Sequence, residues 1–299
     1  MAQATENVVI PTTYRWVNFG TVPNVGASGV GFGVIPTEMN VHFIDLYLTA
    51  SAGTVLTRAQ MIADIDSIEI KLNGELIVDS TPTYLLDLYK FHFDKFGALS
   101  APEGVLRIPF VRKNLPVWGL NRAFALGMKR SNGQGWNSLS YKVKFTSGLT
   151  TLAKAEIIVV GDSYPSEPTG QHIRILQTTR DLTDTGWLRI PDFNVTPQGI
   201  LAYHILDTNP TRFRVTKGRD QVMGDTPYET LKIMMDEAGR TPQTNWTHLP
   251  FDLANNVNGF EWLSGYVQQN AWLIELYAGT APGAGTVIVS EEVWDGVKE

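Results

Sequence analysis

The 299-residue chain contains no cysteine, which excludes disulfides and thiolate metal sites. Secreted eukaryotic domains usually rely on them, so the absence points to assembly in a reducing compartment. Charge is scarce as well. Asp, Glu, Lys and Arg make up 18% of the residues, where a domain surface usually carries about a quarter or more. Part of this surface is therefore expected to be covered by partners. Basic clusters are missing too, the basic residues being thinly spread, as at Arg122, Lys129 and Arg130. Residues 1–165 hold 14 Lys and Arg against 13 Asp and Glu, and residues 166–299 hold 10 against 17. Neither half has the basic face that grips phosphates, so sequence-specific nucleic-acid binding is not expected. No run approaches the ~18 apolar residues of a membrane span. Met1–Glu6 lacks the basic-then-apolar start of a signal peptide, and the chain is expected to be made and kept soluble.

What is present is duplication. Ile35-Pro36 ends one apolar run and Ile190-Pro191 ends another. Thr81-Pro82 and Thr226-Pro227 each open a helix-like stretch, and Arg107-Ile108-Pro109-Phe110 is echoed by His248-Leu249-Pro250-Phe251. The offsets of 155, 145 and 141 residues far exceed the roughly 20–50 residues of a solenoid repeat. A whole domain has been copied, in agreement with a length that suggests about two domains. Hydrophobic content of 43% supports compact cores.

Residues 1–20 read as an extended arm whose Val8, Val9, Ile10, Tyr14 and Trp16 must be buried on its own domain or on a neighbour. The first unit, 21–163, begins with a glycine-rich strand from Val30 to Ile35. The alternating strand Val41–Leu48 follows, then a short helix from Thr57 to Ile65 capped by Thr57. Ile68–Leu72, Asn73-Gly74 and Glu75–Val78 form a two-residue hairpin, because Asn-Gly tolerates the positive φ values that such a turn needs. Thr81 and Pro82 start a helix running to about Phe96, with Tyr84, Leu85, Leu88, Tyr89, His92 and Phe96 on its apolar face. Strands are expected at Val105–Val111, Ala123–Met128, Leu139–Phe145 and Ala155–Val160. A linker follows at 164–170, marked by Pro165, Pro168 and Gly170. The second unit, 171–299, carries strands at Trp187–Ile190, Gly199–Leu206, Thr211–Thr216, Thr247–Phe251, Phe260–Ser264, Trp272–Tyr277 and Thr286–Ser290, with a helix after Thr226-Pro227. The fold class is all-β: two tandem eight-stranded jelly-roll barrels, a double jelly roll with short inserted helices.

Several residue groups resemble active sites and are better read as structure. Gly26, Gly29, Gly31 and Gly33 lie within a strand instead of opening a helix, so close backbone approach is expected in place of phosphate binding. Gly161-Asp162-Ser163 ends a strand as a lipase nucleophile does, but Tyr164-Pro165 forbids the following helix. Its only partner motif, Asn245-Trp246-Thr247-His248, has Asn where the orienting carboxylate should stand. His42, His92, His172, His204 and His248 are scattered without metal-ligand spacing, and half-buried structural roles are expected for them. Asp162, Glu167, Asp181, Asp184 and Asp192 are the carboxylates available for structural calcium, without the spacing of a known loop. The 8 Trp and 10 Tyr residues are expected in cores and interfaces more than on a sugar-stacking face. No catalytic or cofactor-binding residue stands out, and the metal set is open.

Pro23-Asn24-Val25 with the glycine-rich strand, the hairpin around Leu72-Asn73-Gly74, the helix from Pro82, Ile108-Pro109-Phe110 and Phe124-Ala125-Leu126-Gly127 carry a likeness. In this order they resemble the double jelly-roll major capsid proteins of icosahedral, membrane-containing viruses. The corticovirus-like members of the tectivirus and adenovirus capsid lineage are the nearest in look. The likeness spans nearly the whole chain in organisation and rests on short motifs. It implies a structural virion protein of the bacteriophage type, not an enzyme. Two rolls would stand perpendicular to the shell, and three chains would form a homotrimer of pseudo-hexagonal outline. Trimers would tile the capsid over an internal membrane, alongside other capsid proteins such as a vertex protein, after assembly in the host cytoplasm. The arm, Ala2 to Asn18, is expected to cross to a neighbour or lie on the membrane side.

The alternative is a carbohydrate-binding or glycan-hydrolysing protein on the same scaffold, a two-jelly-roll glycoamidase or a lectin-like sandwich. It requires Asp64, Asp66 and Glu69 to converge with aromatics in one cleft, whereas their places at a helix exit and strand start suggest that they face solvent.

Overall fold

The computed structural model describes residues 15–36, 38–93, 103–111, 124–130, 132–162, 170–190, 199–206, 208–217, 220–253 and 272–295. Local signals set its hairpins. Asn73 and Gly74 have φ of 49° and 82°, the mirror-image turn that follows the twist of flanking strands. The turn joins β4 (Ile65–Leu72) to β5 (Glu75–Ser80), which pair from Leu72 opposite Glu75 to Ile68 opposite Ser80. Just before them lies α1 (Arg58–Asp64). Thr57 accepts the Gln60 N–H, and the Gln60 side chain accepts the Thr57 N–H at 2.8 Å, a reciprocal capping box.

The first unit comprises β1 (Arg15–Thr21), β2 (Val30–Ile35), β3 (Asn40–Ala50), α1, β4, β5, α2 (Pro82–Phe93), β6 (Val105–Pro109), β7 (Leu139–Phe145) and β8 (Leu152–Asp162). The second comprises β9 (Gln171–Leu182), β10 (Gly186–Ile190), β11 (Gly199–Leu206), β12 (Pro210–Lys217), β13 (Asp220–Pro227), α3 (Tyr228–Glu237), β14 (Trp246–Pro250), β15 (Trp272–Ala278) and β16 (Gly283–Asp295). Strand order shows the duplication directly. The first roll pairs β1-β8-β3-β6 and β2-β7-β4-β5; the second pairs β9-β16-β11-β14 and β10-β15-β12-β13. Adding eight to each strand number of the first roll yields the second.

Equivalence extends to the register. The ladder of β3 on β8 slips between Val41 and Phe43, and that of β11 on β16 slips between Ile200 and Ala202. Pro109 lies opposite Phe43 as Pro250 lies opposite Ala202. The 141-residue echo of Ile-Pro-Phe by Leu-Pro-Phe is therefore a true structural repeat.

The rolls share a wall. Val78 and Asp79 of β5 pair in parallel with Ile175 and Leu176 of β9, fusing one sheet of each roll into eight strands. Ile173, Ile175, Leu201, Trp246, Val289 and Val293 pack into the first core, while Ile200, Tyr203, Ile205, Leu249 and Ile288 fill the second. The β11 and β14 side of the β9-β16-β11-β14 sheet is thus buried on both faces. Its β14 strand is buried at every position and β11 at all but the last, which accounts for runs such as Ile200-Leu201-Ala202-Tyr203 that lack strand alternation.

Four expectations need correction or extension. Arg15–Gly20, read as the end of the arm, belongs with Thr21 to β1, because its alternating residues let it close the sheet edge on β8 from Arg15 opposite Gly161 to Thr21 opposite Glu156. Residues 124–128 form no strand; Leu126 makes only an isolated bridge to Val41. In the second unit β9 and β13 went unread, since Gln171–Leu182 exposes most of its polar C-terminal half and shows no clean alternation. Pro227 itself caps α3, with Thr226 Oγ1 turned back to Gly224 O. The rest of the arm, the 260–264 strand and Phe96 lie outside the described residues. Among the glycines of β2, close approach holds: a Cβ on Gly31 would lie 2.2 Å from Val22 Cγ1.

Candidate functional site

The junction between the rolls is built around α2. Its expected apolar residues Tyr84, Leu85, Leu88 and His92 are buried, but so are Leu86 and Phe91. A helix buried nearly all round is enclosed by protein on several sides. Most of α2 packs into the first core, yet Phe91 belongs to the core of the second roll. There its ring lies on the His248 ring, with centroids 4.1 Å apart and planes 13° apart. Asp87 spans the junction, accepting from Arg58 Nη2 at 2.6 Å and from Trp246 Nε1 at 2.8 Å.

Three histidines meet one glutamate at this wedge. Glu291 of β16 is 1% exposed; its Oε1 accepts from Tyr84 Oη at 3.1 Å and bonds His92 Nε2 at 3.1 Å. His204 Nε2 of β11 lies 3.7 Å from the same oxygen. On its far side His204 Nδ1 is 2.6 Å from His248 Nδ1 of β14. His248 Nε2 accepts the Gln243 N–H at 3.1 Å, which places the His248 proton on Nδ1 and makes it the donor to His204 Nδ1. His204 then carries its proton on Nε2, facing Glu291. Tyr228 of α3 fixes the His248 backbone, accepting its N–H at 2.7 Å and donating to its carbonyl at 3.3 Å. Arg240, 1% exposed, closes the far end, bound to Asp252 at 2.6 Å. Burial, first, and then the neighbouring His204 and His92 hold the His248 pKa well below its ordinary value, against the pull of Glu291.

The first roll fills the same register position differently. Asp45 opposite Arg107 in β3 and β6 corresponds to His204 opposite His248 in β11 and β14. Arg107 grips Asp45 through Nε at 2.7 Å and Nη2 at 2.5 Å. A paired polar position in the duplicated sheet has become an ion pair in one copy and a histidine pair in the other.

Spacing along the chain offers no hint that His92, His204 and His248 converge. Their only common signal is strand or helix placement beside apolar residues; the expectation of half-buried, scattered histidines is corrected to a fully buried cluster. His42 is buried against Asp162 at 2.6 Å, with Asn40 Nδ2 donating to the same carboxylate at 3.1 Å. Asp162 is thereby engaged, while Ser163, Glu167 and Asp192 lie outside the described residues. Asp181 accepts the Gly285 N–H and Asp184 is exposed. No group of three or more His, Asp or Glu suited to a metal ion occurs among the described residues.

The carboxylate trio does not converge. Asp64 is fully buried, not solvent-facing, and accepts the backbone N–H groups of Thr150, Thr151 and Leu152 at 3.0, 3.1 and 2.7 Å. Asp66 pairs with Lys144 and Glu69 with Lys142. A cleft of 270 Å³ at the roll junction is lined by Asp66, Thr81, Thr146, Leu206, Trp246 and others, but by neither Asp64 nor Glu69.

Apolar side chains are exposed at the sheet edges. Trp16 on β1 is 66% exposed, and Phe32 and Val34 on β2 are 65% and 66% exposed. Both strands are outermost in their sheets.

No protein-family model matches the chain, and no curated protein matches it by sequence. Solved structures do match. The major capsid protein P2 of bacteriophage PM2 superposes with a TM-score of 0.75 at 18% identity, over 95% of this chain and 100% of that one. The STIV major capsid protein gives 0.64 at 11% identity, over 94% and 96%. PBCV-1 VP54 gives 0.63 at 8% identity, over 95% and 94%. The chain therefore has the double jelly-roll fold of these viral major capsid proteins along nearly its full length.

Proposed function

We propose that this chain is a structural major capsid protein. Three copies form a homotrimer of pseudo-hexagonal outline, and trimers tile an icosahedral shell around an internal membrane. The observation that carries the reading is the repetition of one roll in the same strand order and register, with the copies fused through β5 and β9. Two like barrels per chain give a threefold assembly six like sides, the shape that fills a hexagonal net. The full-length likeness to viral capsid proteins supports it. So do Trp16, Phe32 and Val34, which on edge strands of a free chain would invite unregulated pairing unless a neighbouring copy covers them. An enzymatic reading lacks its cleft, since Asp64 is spent on backbone N–H groups away from Asp66 and Glu69.

Solution mass and electron microscopy of the purified chain test the proposal. A stable trimer with hexagonal projections is expected. A chain that stays monomeric at all concentrations, or that turns over or binds glycans as a monomer, overturns it.

A further inference from the structure

We propose that the His92–His204–His248–Glu291 cluster is an acid-released latch. It holds α2 against the second roll while His204 and His248 are both neutral, and lets go when either ring takes another proton.

The proposal rests on counting protons. The two rings have four nitrogens. His248 Nε2 must be bare to accept the Gln243 N–H. The facing Nδ1 atoms, 2.6 Å apart, have room for one proton between them. His204 Nε2 takes the second, and two protons make both rings neutral. A third has no place: on His248 Nε2 it opposes the Gln243 N–H, and on the second Nδ1 it sets two donors face to face. Either breaks a buried hydrogen bond and leaves a charge without solvent. A buried group left unpaired is far costlier than the bond was worth.

Every element packed on the pair is involved. Glu291 of β16 faces His204, and His92 and Tyr84 of α2 share Glu291. Arg240 lies 5.6 Å from the Phe91 ring that stacks on His248, and Tyr228 of α3 holds the His248 backbone. Glu291 favours an added proton nearby, whereas Arg240 and burial oppose it. The nearby Asp252 is committed to Arg240 and Asp87 to Arg58 and Trp246. His204 and His248 are 0% and 1% exposed, so the proton is accepted only when the junction opens. The opening surface is the one between α2 and β11, β14 and β16, and the strands inside each roll are not part of it. The latch is a property of the single chain and does not depend on the shell reading.

Hydrogen exchange of the full chain, corrected for intrinsic rates, tests this across pH 7.5 to 5.5. Opening at residues 82–93 and 246–250 should rise about tenfold per pH unit below ~6.5 for each ring that charges only on opening. Residues 40–50 and 152–162 should stay protected. Unchanged protection of α2, or equal loss in all strands, overturns the proposal. With His204→Asn and His248→Asn together, two amides that cannot titrate replace the rings, and the acid response at α2 should vanish; its persistence overturns the latch. Exchange of the ring C2 hydrogens supplies an independent readout in the unmodified chain. The His248 ring should titrate at the midpoint of α2 opening, and its ordinary titration beneath a protected α2 is incompatible with the proposal.

Discussion

Phe91 and His248 lie ring on ring, 4.1 Å between centroids, although the first belongs to the helix of one roll and the second to the inner sheet of the other. One side chain thus plugs its neighbour's core from outside. Phe91 is fully buried, and Phe91→Ala should lower stability by about 3–5 kcal/mol, the cost of a large buried cavity. Denaturant unfolding measures it; a loss under about 1 kcal/mol, as at surface sites, would show that the plug does not matter.

The turn at Asn73-Gly74 offers a cleaner test of backbone strain. No atom lies within 4 Å of where a Gly74 Cβ would stand, so the obstacle is its φ of +82° alone. Gly74→Val should cost about 1 kcal/mol or more, because a β-branched residue resists positive φ. Unchanged thermal unfolding of this variant would count against the turn.

Asp64 is a second target. Its carboxylate satisfies three consecutive N–H groups at the start of β8. Asp64→Ala leaves those donors bare and should cost about 3 kcal/mol or more, with Asp64→Asn intermediate because one oxygen survives. Urea midpoints of both variants decide this; equal losses in the two would mean that the oxygen kept by Asn contributes little and that the effect lies in the charge and the second oxygen.

Acid should weaken the whole chain as well as the junction. The folded state holds the His248 pKa well below its ordinary value, while the unfolded chain protonates this ring near pH 6.5. Between the two values the unfolded state binds more protons, so stability drops as pH falls below about 6.5 and is unaffected by this ring above it. The urea midpoint at pH 7.5 should exceed that at pH 5.5, and His248→Gln should narrow the gap. The same gap in both chains would remove His248 from the account.

Exposed edge residues should affect assembly but not folding. Phe32→Ser with Val34→Ser alters side chains that are already in solvent, so unfolding should shift little while any oligomer weakens. An oligomer of unchanged strength would place the contacts elsewhere.

Short-range features were legible in the residues themselves. The Asn73-Gly74 hairpin, the Thr57 cap, the start of α2 at Pro82 and the repeated Ile-Pro-Phe and Leu-Pro-Phe landmarks depend on dihedral limits and hydrogen bonds spanning a few positions. Those limits act wherever the residues occur. Tertiary packing decided the rest. β9 has little alternation because its first half packs into the core of the other roll while most of its second half lies in solvent. α2 is buried past its apolar stripe because two cores close on it. His92 and Glu291, 199 positions apart, share a site only because the duplicated barrels are pressed together, and no local preference encodes a meeting at that distance.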